Sequence, residues 1–228
     1  MRRETYAILA RTLPFLIYMS FVALLEIPTL FGSQAMSQGF LIESYPLKIS
    51  MAAAALFLFR KSYTDLKLKP LADAKMTALS VGVGLAVFIV WINLNVPWAI
   101  QGELTTYDPT GDYQGLSLWL ILCFRVMGAV LVVPIMEELF WRSFLVRYLA
   151  GKNFVEVKPG TFTLFSFSVT ALLFGLEHQL FIAGIVAGIA YNYIYWKAKN
   201  LSHCVLSHAV TNTLLAAYVL LTRSWHFW

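Results

Sequence analysis

Long apolar runs separated by short polar segments dominate the pattern of this chain. The runs that are long enough to form helices cover residues 8–31, 47–59, 76–96, 116–149, 161–178, 180–196 and 201–221. A helix needs about 20 apolar residues to cross the hydrocarbon core of a bilayer, and the alternation of polar and apolar positions that is typical of membrane β-strands is absent from the sequence. The pattern therefore predicts an all-α polytopic membrane helix bundle with about seven transmembrane helices, and it leaves an eighth open.

The amino-acid composition points to the same class of protein. Hydrophobic residues make up 59% of the chain, charged residues make up 13%, and the mean hydropathy is +0.70. A soluble domain of this size could not expose so much apolar surface to water. We therefore expect residues 1–228 to form a single membrane domain in contact with the lipid bilayer.

The distribution of charge predicts how the chain is oriented. The net charge of +5 comes mainly from lysines and arginines in the connecting segments, and these form no dense basic run, so we expect no nucleic-acid partner. Basic segments lie before the first run and after the second, fourth and sixth runs, whereas residues 97–115 carry acids and no base. The positive-inside rule then predicts a multi-pass integral membrane protein with a cytoplasmic N-terminus, in a membrane that the sequence does not identify.

Two adjacent acids and an arginine interrupt the fourth run. Charges at this depth cost several kcal/mol unless they are paired or line a polar cavity, so Glu137, Glu138 and Arg142 are candidate functional residues. On a helix Glu138 and Arg142 share a face, whereas Glu137 lies about 100° round from Glu138. The spacing favours Glu138 as the partner of the arginine and Glu137 as a general base, although an ion-pair knot between helices would explain the doublet alone equally well. Arg125, earlier in the run, could bind a substrate carboxylate, pair with another buried acid or extend to the interface.

Further polar residues lie in the fifth and seventh runs. His178 comes near the end of the fifth run, and His208 and Asn212 are one helical turn apart in the seventh. An imidazole and a carboxamide aimed at one point can donate hydrogen bonds to a developing oxyanion. Together with the acids they supply a base, an imidazole that positions water and a pair of oxyanion donors, which predicts hydrolysis of an amide bond inside a membrane.

The order and spacing of these residues resemble a known family. The motifs are Glu137-Glu138-x-x-x-Arg142, Phe174-x-x-x-His178 and His208-x-x-x-Asn212. They are similar to the three motifs of the CAAX prenyl endopeptidase and bacteriocin-processing (CPBP, or Abi) membrane proteases, and the resemblance covers a motif-bearing core over residues 116–221.

The resemblance implies an intramembrane endopeptidase that acts on a membrane-associated peptide or protein. Glu137 and His178 would activate the water, and His208 and Asn212 would stabilise the tetrahedral oxyanion. Glu138 and Arg142 would support the site, with Phe174, and Glu138 could also share in catalysis.

Metal dependence stays open at this stage. Glu137, His178 and His208 could supply two histidines and a carboxylate to a catalytic zinc ion, but the His-Glu-x-x-His spacing of a firm zinc site is missing. We therefore expect no cofactor, with zinc as the alternative and those three residues as its ligands.

Two other functions compete with proteolysis. A non-catalytic scaffold or immunity-type protein of the same fold could keep the polar residues for packing, and a proton-coupled transporter could use them as a relay. The sequence lacks the internal repeat that is common in transporters, which argues against transport.

Counting residues along straight helices raises a difficulty for the site. It places His178 near the exterior end of its run, whereas Glu138 and His208 lie towards the cytoplasmic side. A break at Gly175, a tilted fifth helix or a deeper start of the fourth would each bring the residues to one level.

Overall fold

A computed structural model describes residues 3–30, 38–102, 104 and 106–227. The long helices in this part of the chain are α1 (Arg3–Leu30), α2 (Gln38–Phe59), α3 (Ala74–Asn93), α4 (Gly115–Ala150), α5 (Leu164–Leu176), α6 (Phe181–Ala198) and α7 (Leu201–Thr222). No strand occurs among the described residues. The predicted all-α bundle is therefore confirmed, and each apolar run corresponds to one helix.

Five of these helices are long and apolar enough to cross a membrane: α1, α2, α3, α4 and α7. Helix α5 has only 13 residues, which at ~1.5 Å per residue is about 20 Å, less than the hydrocarbon core requires. Helix α6 has 18 residues but carries polar side chains such as Asn192 and Lys197. By length and composition, five of the seven described long helices are thus candidates to span a membrane.

Small residues hold the α5–α6 hairpin together. A Cβ atom added at Gly184 would lie 2.9 Å from the Gly175 Cα, and one added at Gly188 would lie 2.9 Å from the Ala171 Cα. Larger side chains would therefore separate the two backbones.

Helix α4 is not a regular α-helix along its whole length. Two wider π-helical segments, Gly128–Val132 and Leu139–Leu145, flank the α-helical turn Val133–Glu138 that carries the acid doublet. Pro134 lacks an N–H group, and the Val133 N–H bonds five residues back to the Gly128 carbonyl. This arrangement frees the Ala129 carbonyl for a partner outside the helix, as is frequent where π-bulges border functional sites.

A cluster of buried charges, which we call the end cluster, joins three parts of the chain at one end of the bundle. It consists of Arg11 on α1, Asp65 between α2 and α3, and Ser143 and Arg147 on α4. The Asp65 carboxylate pairs with Arg11 at 2.9 Å and with Arg147 at 3.3 Å. The Ser143 hydroxyl accepts from Arg11 Nε at 2.7 Å and donates to Asp65. The lysine-rich and arginine-rich connections meet at this end, which we call the basic end.

Candidate active site

The predicted pair of Glu138 and Arg142 is present in the structure and includes a third residue. Glu138 Oε1 accepts from Arg142 Nη1 at 3.0 Å and lies 3.0 Å from His208 Nδ1. Glu138 and Arg142 are both 0% exposed. Because a carboxylate of this kind accepts hydrogen bonds, the His208 Nδ1 is the donor in the second contact. One carboxylate oxygen therefore joins helix α4 to helix α7.

Helix α6 holds the other side of the arginine. Arg142 Nε donates to Asn192 Oδ1 at 3.1 Å, and Arg142 Nη2 donates to the Gly188 carbonyl at 3.3 Å. The guanidinium carbon lies 4.6 Å from the centre of the Phe174 ring. Phe174, expected to support the site, thus covers the arginine with an aromatic face that favours a cation.

His178 lies just beyond the end of α5. The helix ends at Leu176, and His178 Nδ1 is 2.7 Å from the Phe174 carbonyl, to which it donates. The histidine ring then lies 4.9 Å from the Phe174 ring. Of the three explanations open from the sequence, a break close to Gly175 agrees with this geometry, since the regular helix ends one residue after Gly175.

His208 is held by an aromatic stack and a chain of hydroxyl groups. The Tyr191 ring stacks on the His208 ring with centroids 4.9 Å apart. The Tyr191 hydroxyl donates to Thr211 Oγ1 at 2.8 Å, and the Thr211 hydroxyl donates to the Gly84 carbonyl at 2.8 Å. Gly84 permits this contact because a Cβ atom there would lie 2.4 Å from the Ser207 carbonyl oxygen.

Asn212 contacts the irregular part of α4. Its Nδ2 donates to the Ala129 carbonyl at 2.8 Å, the carbonyl that Pro134 and the π-helical segment leave without a partner from its own helix. The amide has two N–H hydrogens, so one remains for another acceptor.

These residues meet at one cavity of about 190 Å³. The polar side chains on its wall are Glu137, His178, His208 and Asn212, with Tyr18, Tyr45, Arg125, Tyr191 and Thr211. The predicted convergence of the three motifs is therefore present in the fold. Glu138, Arg142 and Phe174 lie behind or beside this wall and fix its members in place.

Two carboxylate oxygens in the site have no partner. Glu137 Oε2 and Glu138 Oε2 are buried, and no group of the described structure donates a hydrogen bond to either. Most buried polar atoms are satisfied, so such exceptions call for an explanation. Glu137 lies on the cavity wall with 5% of its surface exposed.

Sequence reasoning missed several residues that build the site. Asn192 donates from Nδ2 to the Phe167 carbonyl and to Thr170 Oγ1, both at 2.9 Å, and so ties the arginine to α5. Glu177 accepts from Trp141 Nε1 at 3.1 Å. The sequence held a signal for Asn192, which is an asparagine within an apolar run, and for Glu177, which is an acid next to the motif histidine His178. Nothing in the sequence marked Tyr191.

Glu137, His178 and His208, the residues proposed as zinc ligands, all lie on the cavity wall. Among the described residues, no three His, Cys, Asp or Glu side chains are grouped so as to hold a metal ion. His178 Nδ1 and His208 Nδ1 are both engaged by protein acceptors.

The fold and the cavity define a class: a multi-pass helical membrane protein with acids, imidazoles and an amide around one internal space. Residues 118–214 match the family model of Rce1-like proteins, described as type II CAAX prenyl endopeptidase Rce1-like. The match covers less than half of the chain, and over the part that carries the three motifs it supports a likeness to membrane endopeptidases of the CAAX-protease type. Comparisons with curated proteins and with solved structures gave no match.

Proposed function

We propose that this protein hydrolyses a peptide bond of a membrane-associated substrate in the cavity between α4, α5 and α7. The observation that carries the proposal is the meeting of Glu137, His178, His208 and Asn212 on one cavity wall, with a Glu137 oxygen that no protein group satisfies. A base, an imidazole and two donors at one space are the parts that water attack on a carbonyl requires.

Glu137 and His178 activate the water. His178 donates from Nδ1 to the Phe174 carbonyl, so Nε2 of the neutral ring carries a lone pair and can accept a hydrogen bond from water. The Glu137 carboxylate accepts the other hydrogen of the water and takes that proton as the oxygen attacks. General base catalysis of this kind contributes about 10²–10⁴-fold to the rate.

His208 and Asn212 stabilise the oxyanion. Since His208 Nδ1 donates to Glu138, the ring donates from Nε2 to the oxyanion in its doubly protonated form. The second N–H hydrogen of Asn212 supplies the other bond to the oxyanion.

The reaction balances without a further component. The water oxygen bonds to the carbonyl carbon, Glu137 holds the released proton, and the carbonyl oxygen becomes the oxyanion. When the carbon–nitrogen bond breaks, the departing nitrogen takes the proton from Glu137, and the products are a carboxylic acid and an amine. In this proposal the chain's own residues carry out every step.

Arg125 is placed to bind the end of the peptide. It lies on the same cavity wall as Glu137, about 18 Å earlier along α4 at ~1.5 Å per residue, with its guanidinium carbon 4.6 Å from the Tyr45 ring centre. A guanidinium binds a carboxylate through two parallel hydrogen bonds. We infer that a substrate carboxylate is directed towards Arg125, and amidation of the peptide C-terminus should then raise KM.

The orientation in the membrane is part of the proposal. The basic end, which contains Arg11, Arg147 and the connection after α2, faces the cytoplasm, with the N-terminus on the same side. A reporter fused to the N-terminus that is active only in the cytoplasm tests this orientation.

Cleavage of peptides by the purified protein tests the function. Detergent-solubilised protein is incubated with a library of membrane-associated peptides, and products are identified by mass spectrometry. We expect cleavage by the unaltered protein and by the control variants Glu156→Ala and His226→Ala, and loss of cleavage in Glu137→Ala and His208→Ala with the fold intact.

The competing functions make different predictions for the same material. A scaffold or immunity-type protein would be folded and yet cleave no peptide. A proton-coupled transporter would move protons across the membrane of reconstituted vesicles when its substrate is added, and so change the pH inside them. Glu137→Ala would abolish this proton movement.

A further inference from the structure

A second cavity, of about 320 Å³, opens at the basic end, away from the candidate active site. Its wall includes four cationic side chains, Lys67, Arg147, Lys158 and Lys199, and two acids, Asp65 and Glu156. We call it the basic pocket. No residue of the candidate active site contributes to it.

The charges of the basic pocket do not cancel. The Asp65 carboxylate is already shared by Arg11 and Arg147, so one positive charge of that group is left over. Glu156 accepts from Asn153 at 2.7 Å, and no ion pair of the described residues involves Lys67, Lys158 or Lys199. The pocket therefore has a net positive charge that an anion would neutralise.

The wall on the arginine side is rigid. Arg147 Nε donates to the Val157 carbonyl at 2.8 Å and Nη2 donates to the Val155 carbonyl at 3.3 Å, in addition to the Asp65 pair. These bonds fix the loop after α4 against the end cluster, so the pocket keeps its shape without a ligand.

An exposed aromatic patch adjoins the pocket. Phe162 and Trp196 are 48% and 41% exposed, with ring centres 5.7 Å apart, and the Lys197 ammonium lies 4.6 Å from the Trp196 ring centre. The aromatic patch and the basic pocket meet at Gly160, two residues before Phe162. Its backbone packs closely against Lys199, since a Cβ atom at Gly160 would lie 2.9 Å from the Lys199 Cα. Aromatic rings beside lysines are typical of the level at which lipid headgroups meet acyl chains.

We propose that the basic pocket binds the phosphate headgroup of an anionic phospholipid, whose acyl chains lie over Phe162 and Trp196. A cationic recess next to an exposed apolar surface matches a molecule with an anionic head and an apolar tail. This site is independent of the proteolytic function, because none of its residues lines the candidate active site.

Lipid titration of the full-length protein in a neutral detergent tests the proposal. Binding of phosphatidylglycerol and phosphatidylcholine is measured by native mass spectrometry, and the thermal unfolding midpoint is followed in parallel. The variant Lys67→Ala/Lys158→Ala/Lys199→Ala is compared with Lys61→Ala/Lys75→Ala/Lys152→Ala, which removes the same charge from exposed positions outside the pocket. Since each lysine near an anionic surface contributes about 1 kcal/mol, we expect phosphatidylglycerol affinity to fall at least about tenfold in the first variant and less than about threefold in the second.

Other outcomes would overturn the proposal. An equal loss of phosphatidylglycerol affinity in the two triple variants would mean that surface charge alone attracts the lipid. Phosphatidylcholine that binds the unaltered protein as tightly as phosphatidylglycerol would mean that the headgroup is not recognised. Inorganic phosphate that binds the pocket and displaces the lipid at similar concentrations would identify a site for free phosphate. A further variant, Phe162→Ala/Trp196→Ala, should weaken lipid binding without changing any weak phosphate binding.

Discussion

Two groups of buried charges in this protein contain similar residues and differ in how their hydrogen bonds are completed. The end cluster combines Arg11 and Arg147 with Asp65, and the candidate site combines Arg142 and His208 with Glu138. In both, one carboxylate joins two cationic or potentially cationic groups from different parts of the chain. Similar residue types therefore do not by themselves separate a structural cluster from a catalytic one.

The difference lies in the unused bonding capacity. Both oxygens of Asp65 are bonded, and no buried side-chain atom of the end cluster lacks a partner in the described structure. In the site, Glu137 Oε2 and Glu138 Oε2 have no partner, and Glu137 faces a cavity. A satisfied cluster stabilises the fold, whereas an unsatisfied one beside a cavity can bind and activate a small molecule.

The largest effect is expected at Glu137, where substitution should abolish most of the activity and leave the stability almost unchanged. The isosteric change Glu137→Gln removes the base and should lower kcat about 10²–10⁴-fold. The unfolding midpoint should change little, because the altered oxygen has no partner to lose. Peptide cleavage and thermal unfolding are measured on the same preparation, with Glu156→Gln as the matched control. Full activity in Glu137→Gln would remove this residue from the mechanism.

Substitution of Asp65 should have the opposite result, a loss of stability with little change in activity. Asp65→Asn leaves two buried guanidinium groups without a counter-charge, which should lower the free energy of unfolding by about 3 kcal/mol. The activity per folded molecule should stay within about twofold of the unaltered protein. Denaturant unfolding in detergent gives the first quantity, and Asp73→Asn, which retains a good helix cap at an exposed position, is the control. A stable Asp65→Asn protein with lost activity would reverse the roles of the two clusters.

Asn212 tests the oxyanion site. Asn212→Ala should lower kcat about 10²-fold, the cost that follows loss of one oxyanion donor, with a smaller change in KM. Steady-state kinetics on a cleaved peptide measure both constants, and Thr213→Ala on the exposed side of α7 is the control. A rise in KM alone would show that Asn212 binds substrate without stabilising the oxyanion.

The substitution Tyr191→Phe should have the smallest effect on activity and stability. Tyr191→Phe keeps the ring that stacks on His208 and loses only the bond to Thr211, so stability should fall by about 1 kcal/mol and kcat by less than about tenfold. Tyr191→Leu also removes the stack and should lower kcat further. Equal kinetics for the two variants would show that the stack does not position His208.

Short-range features of the site could be predicted from the sequence because helical geometry fixes them. The pairing of Glu138 with Arg142, the common face of His208 and Asn212, and the apolar runs that became helices all depend on spacing within one helix. The roles of Glu137, His178, His208 and Asn212 remain predictions that the experiments above test.

The partners that come from distant parts of the chain could not be predicted. Asn192 on Arg142, Tyr191 on His208 and Asp65 between two arginines join residues that the sequence separates widely. The depth of His178 also depended on where α5 ends, which counting along an apolar run cannot determine. These features arise only when the helices pack.

The sequence by itself determined that this protein is a bundle of apolar helices and that its acids, histidines and asparagine fall into three motifs, because composition and helical periodicity act within each segment. The tertiary structure decided which of those polar groups share a cavity, which oxygens remain without a partner and where a second, cationic pocket opens. The physical reason is that burial and hydrogen-bond satisfaction depend on every helix that surrounds a group, and no single helix contains that information.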